Sequence, residues 1–127
     1  MANAAQPWVI CIVDDDESVR KGLSRLMRAS GFTVRTYSSG ESFLEEARTE
    51  PRVCVLMDIT MPRMSGAQVQ AQLAARSIDL PVIAVSARDD PEVRLAARTL
   101  GARFFLLKPV DDQALLDAIA WVAGPGA

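Results

Sequence analysis

Five short apolar runs rich in β-branched residues alternate strictly with five segments of helical period, and few folds accommodate that order. The runs are Val9 to Val13, Thr33 to Tyr37, Val53 to Met57, Val82 to Ser86 and Phe104 to Leu107. Near-continuous apolar strands separated by helices predict a parallel sheet, because each crossover must return the chain to the same end. Right-handed crossovers then place helices on both faces. The expectation is an α/β domain: a doubly wound, parallel, five-stranded sheet.

The helices carry their own signals. Asp16 reads as the N-cap of the first, with Val19, Leu23, Leu26 and Met27 inward and Gly31 as the stop. The second starts near Ser39, turns Phe43, Leu44 and Ala47 inward and ends before Pro51. The third follows Gly66, with Val69 and Leu73 inward and Gln68, Gln70 and Gln72 outward. The fourth opens at Asp90-Pro91 and runs through Val93, Ala97 and Leu100 to Gly101, and the fifth opens at Asp111 and buries Leu115, Ala118, Ile119 and Val122. No repeat or linker divides the chain, so the expected organisation is one domain over 8–123, with loose tails at 1–7 and 124–127.

At 127 residues the chain is long enough to bury about two-thirds of its unfolded surface without disulfides or structural metals. Cys11 and Cys54 sit inside apolar runs and read as small core residues. A net charge of −2, with basic residues that look scattered, argues against binding a phosphate backbone. No apolar run reaches the roughly 20 residues of a membrane span, and "MANAAQP" lacks the basic and apolar regions of a signal peptide, which together predict a cytoplasmic protein. The absence of histidine is the sharpest exclusion. It removes a Ser-His-Asp triad, a His-ligated zinc and any phosphohistidine of the chain's own.

What remains is carboxylate, hydroxyl and lysine chemistry, and those groups stand where apolar runs stop. Asp14 and Asp15 follow "WVICIV", Asp58 follows "VCVLM", Ser86 closes the fourth run and Lys108 follows "RFFLL". In open α/β sheets the functional crevice lies beyond the carboxyl ends of the strands. Carboxylates gathered there repel by about 4 kcal/mol per pair at about 4 Å and an effective dielectric near 20, so they require neutralisation. A divalent cation and Lys108 are the candidates.

Four motifs, "IVDDDESVRKGL", "VLMDITMPRMSG", "VIAVSA" and "FFLLKP", occur in order at these strand ends. With them the chain resembles the receiver domain of two-component response regulators, over Val9 to Val122, and most resembles receivers of regulators with a helix-turn-helix DNA-binding output. The resemblance implies a flavodoxin-like (βα)5 sheet of strand order 2-1-3-4-5. It implies that Asp58 accepts a phosphoryl group from the phosphohistidine of a sensor histidine kinase or phosphotransfer protein, with Mg²⁺ as cofactor. Asp15 would bind the ion directly, Asp14 through water, and Asp58 and the Thr60 carbonyl would complete the protein ligands. Hard oxygen donors that leave several waters in place suit Mg²⁺.

The same resemblance assigns Lys108, Ser86 and Ala87 to the phosphoryl group. It assigns Phe105 to a switch that alters the face of the fourth helix and fifth strand, the expected surface for homodimerisation. Pro62 and Gly66 would shape the loop behind Asp58, and Pro109 would follow a cis bond. Such a domain is no enzyme beyond its own phosphorylation and dephosphorylation, and it contacts neither nucleic acid nor membrane itself. Two other readings differ in chemistry. "DDDES" also fits a haloacid-dehalogenase-like phosphatase, with Asp14 as nucleophile and Asp16 as acid/base, which leaves Asp58 unexplained. A receiver-like interaction module that never takes phosphate would have no use for the complete acid set.

Overall fold

The strands form where the apolar runs predict them. In a computed structural model that describes residues 7–124, they are β1 (Val9–Val13), β2 (Thr33–Tyr37), β3 (Val53–Asp58), β4 (Val82–Ser86) and β5 (Phe104–Leu107). The helices between and after them are α1 (Glu17–Ala29), α2 (Gly40–Glu46), α3 (Gly66–Ala75), α4 (Pro91–Thr99) and α5 (Asp112–Ala123). All strand pairs are parallel, in the order β2-β1-β3-β4-β5. The order reverses between β1 and β3, which opens a crevice at their carboxyl ends. Residues 1–6 and 125–127, where the loose tails were expected, lie outside the described residues.

Strand parity sorts the core into two layers. Cys11, Val13, Val55 and Met57 face α2 and α3 through Phe43, Leu44, Val69 and Leu73. Ile10, Ile12, Cys54, Leu56 and Ile83 face α1 and α5 through Met27, Leu115, Ala118 and Ile119. Each such large side chain taken fully out of water contributes about 1.5–3 kcal/mol. Cys11 and Cys54 are buried, free and on opposite faces, and burial pushes the Cys11 thiol up to about 11 and that of Cys54 to about 12. Both are inert core residues.

Local capping starts α1 where the sequence places it. The Asp16 carboxylate accepts from Ser18 N at 2.8 Å and Val19 N at 3.3 Å. Gly31, at φ 93°, turns the chain away so that Phe32 N closes on Met27 O at 3.0 Å. Asp16→Ala is expected to cost about 1 kcal/mol, read as a thermal midpoint lowered by a few degrees in the absence of metal.

Two expectations are corrected. β3 runs one residue further than Met57: Asp58 is paired in register with Val85, so the acid lies inside the strand and not after it. Gln70 points inward, only 2% exposed, and its Nε2 donates to Ala97 O at 3.1 Å. The cause is tertiary, because α3 packs against α4 as well as the sheet and Gln70 caps a carbonyl of the last turn of α4.

Candidate functional site

The crevice is built from one residue stretch per strand end. β1 delivers Asp14 and Asp15, β3 delivers Asp58, β4 ends at Ser86, and Lys108 follows β5 by one residue. Asp14 and Asp58 are each 3% exposed while Asp15 is open to solvent. One oxygen of each of the three carboxylates lies within 4.8 Å of the others. Lys108 Nζ reaches across to Asp14 Oδ2 at 2.9 Å and Asp58 Oδ2 at 3.5 Å.

One ammonium against three carboxylates leaves the pocket electron-rich. Burial, and next the charge of Asp14, push the Asp58 carboxyl up to about 6, although Lys108 and the Thr60 N–H draw it down. Burial alone would depress Lys108, but its bonds to Asp14 and Asp58 outweigh that and raise its pKa. A clustered set of hard oxygens, two of them buried and only partly neutralised, fits a hard dication such as Mg²⁺.

Asp14 is held at every polar atom. Its N donates to Tyr37 O at 3.1 Å, its Oδ1 accepts from Asp16 N at 2.9 Å, its Oδ2 meets Lys108, and its carbonyl accepts from Arg20 Nη1 at 2.8 Å. Asp58 is oriented by Thr60 N, which donates to Oδ1 at 3.1 Å. The loop behind it runs over Pro62 and through Arg63 at φ 66° to Gly66, whose N returns to Ile59 O at 3.0 Å. A Cβ on Gly66 would lie 2.6 Å from Asp58 O, so only glycine allows this approach.

Ser86 is fully buried and turned toward its own loop. Its hydroxyl donates to Arg88 O and accepts from Arg88 N, both at 3.1 Å, bridging over the exposed Ala87. Phe105 stands on the α4 side of β5, packed with Ala97 and Val93 and covered by the Arg94 guanidinium 4.8 Å from its ring centroid. The Lys108-Pro109 bond is cis. The structure therefore brings Asp14, Asp15, Asp58 and Lys108 together and sets Ser86 one strand over. It places Phe105 behind the sheet edge, outside the acid cluster.

Arg20 and Arg94 were not singled out from the sequence. A helix period was the available signal for Arg20, since a side chain one turn after the N-cap can reach back over the preceding loop. Nothing in the sequence paired Arg94 with Phe105.

The family model for the response regulator receiver domain matches residues 10–120. The chain is 34% identical over 116 residues to the transcriptional regulatory protein FixJ of Azorhizobium caulinodans, covering 91% of this chain and 55% of that protein. It is 39% identical over 114 residues to the response regulator protein TmoT of Ectopseudomonas mendocina, covering 90% and 52%. The chain thus spans about half the length of these curated relatives. Among solved structures, the response regulator StyR superposes with a TM-score of 0.82 at 44% identity, covering 91% of this chain and 58% of that one. FixJ-N superposes with 0.83 at 33% identity, covering 91% and 92%. With the family model matching most of its length and relatives above 30% identity over about nine-tenths of it, the chain belongs to the response regulator receiver domain family.

Proposed function

We propose that this receiver takes a phosphoryl group onto Asp58 from the phosphohistidine of a sensor kinase or phosphotransfer protein. The observation that carries the reading is Asp58 itself, buried beside Asp14 and Asp15, oriented by Thr60 N and faced by Lys108. In the transfer an Asp58 oxygen forms a bond to phosphorus as the nitrogen–phosphorus bond of the donor breaks. Its pKa of about 6 leaves the carboxylate largely ionised near neutral pH, as a nucleophile must be.

Asp15, Asp14, Asp58 and the Thr60 carbonyl are the residues that would hold Mg²⁺. The ion would supply neutralising charge between two anionic reactants. Asp14, with both carboxylate oxygens already engaged, suits a ligand acting through water, and exposed Asp15 suits a direct one. Lys108 already spans Asp14 and Asp58, so it can follow the phosphoryl oxygens with little movement. Phosphorylation adds acceptor oxygens that compete with Arg88 for the Ser86 hydroxyl. Exchange of that partner frees the β4–α4 loop, and Phe105 leaves the Arg94 cover to turn inward beside Ala84.

The phosphatase alternative is disfavoured by the same contacts. Asp16, the acid/base that reading needs, is engaged as a helix cap, and the buried Asp58 carboxylate facing Lys108 has no part in it. The output proposal is a homodimer through α4 and β5, regulating transcription within a longer cytoplasmic regulator. Exposed Leu95 and Leu107 stand on those two elements. Among the described residues, no helix is long and apolar enough to cross a membrane.

Incubation with Mg²⁺ and acetyl phosphate is expected to add one phosphoryl group by mass, and Asp58→Asn to abolish the adduct. An unmodified wild-type mass under conditions of saturating Mg²⁺ binding would overturn the reading, and an adduct surviving in Asp58→Asn would return it to Asp14. Sedimentation with and without beryllofluoride is expected to show dimer only in its presence. An unchanged monomer with beryllofluoride bound would remove the dimer proposal.

A further inference from the structure

Arg20 lies one turn inside α1, close to the positive end of the helix dipole, where a cation is disfavoured unless a local partner holds it. Its partner is the backbone carbonyl of Asp14, at 2.8 Å. That carbonyl belongs to the peptide unit joining Asp14 to Asp15, so its orientation sets the direction in which the Asp15 side chain leaves the loop. The other three polar atoms of Asp14 are fixed by Tyr37, Asp16 and Lys108; the bond from Asp16 N closes a turn around the same peptide, and Arg20 adds the contact on its carbonyl.

We infer that Arg20 is a positioning residue for the dication site: its guanidinium clamps the Asp14–Asp15 peptide so that the exposed Asp15 carboxylate faces Asp14 and Asp58. The inference rests on the proposal that these acids hold Mg²⁺. A planar fork can hold a carbonyl in a fixed direction, whereas an ammonium on a flexible stem holds it loosely. Arg20→Lys should therefore fall between the wild type and Arg20→Ala.

The sign of the effect separates positioning from simple electrostatics. By Coulomb's law alone, deleting a cation beside three carboxylates makes the pocket more negative and tightens Mg²⁺ binding. Positioning predicts the opposite. Calorimetric titration of the whole chain with Mg²⁺ is expected to show affinity about 10-fold weaker for Arg20→Ala and a few-fold weaker for Arg20→Lys. At saturating Mg²⁺ the acetyl phosphate reaction of either variant should return to within about twofold of wild type, because no reacting atom is touched. Thermal midpoints in EDTA verify that each variant is folded, and Arg20→Gln, which keeps a donor, replaces Arg20→Ala if the latter is not. Unchanged or tighter Mg²⁺ binding in the folded variants overturns the inference. A wild type that binds Mg²⁺ but takes no phosphate sinks the functional proposal and leaves the affinity comparison for Arg20 standing.

Discussion

Gly66→Ala is expected to cost about 3 kcal/mol, a large share of the 5–15 kcal/mol that holds a domain of this size together. The added methyl would lie 2.6 Å from Asp58 O and 2.8 Å from Ile59 Cα. Both are backbone atoms at the end of the fully buried central strand, so neither can swing aside. Relief requires α3 to move outward, which opens the packing of Val69 and Leu73 or shifts the strand that aims Asp58. The Gly66 φ is not in the left-handed region, so the effect is contact and not backbone strain. Gly22 makes the control: it lies within α1 with nothing within 4 Å of its would-be Cβ. Gly22→Ala should stabilise by about 0.5–1 kcal/mol. Urea unfolding at constant m-value measures both, and a Gly66→Ala loss under about 1 kcal/mol would defeat the close-approach argument.

The difference between those two glycines shows what the sequence could and could not reveal. The ends of β1, β3 and β4 were legible because burial on both faces demands uninterrupted apolar runs, and Asp14, Asp15 and Asp58 stand where the β1 and β3 runs stop. Caps were legible because Asp16, Ser39, Asp90 and Asp111 act on backbone a few residues away. Contacts between elements were not. Gln70 fits a polar outer stripe until α4 lies over it, and the one-residue extension of β3 appears only once Asp58 is paired with Val85. The stacking of Arg94 on Phe105 depends on the same docking of α4. Arg20 is intermediate: its reach is local, yet its target is a carbonyl, which leaves no trace in residue identity.

Asp58→Asn should stabilise the metal-free protein near neutral pH by about 1–3 kcal/mol while abolishing the phosphoryl acceptor. In the folded state burial and Asp14 hold the Asp58 carboxyl at about 6, against an ordinary value of 3.8. Folding therefore favours the protonated form. Below about pH 4 the group is protonated in both states and carries no penalty. As pH rises from about 4 to 6 the unfolded chain ionises first, so wild-type stability falls, and above about 6 the penalty is constant. Asparagine is neutral throughout, so the variant's advantage should grow across that window and then level off. Lys108 loses little by the change, since Asp14 remains 2.9 Å away. Mg²⁺ shrinks that advantage, because a ligand at 100 times its Kd adds about 2.7 kcal/mol and the variant, missing one ligand oxygen, binds it less. Paired urea titrations at about pH 4.5, 6 and 7.5, in EDTA and in Mg²⁺, read the difference between the two proteins and cancel the titration of other carboxylates. An Asp58→Asn protein less stable than wild type in EDTA at about pH 7.5 would mean that the acid cluster is not held at a cost to the fold.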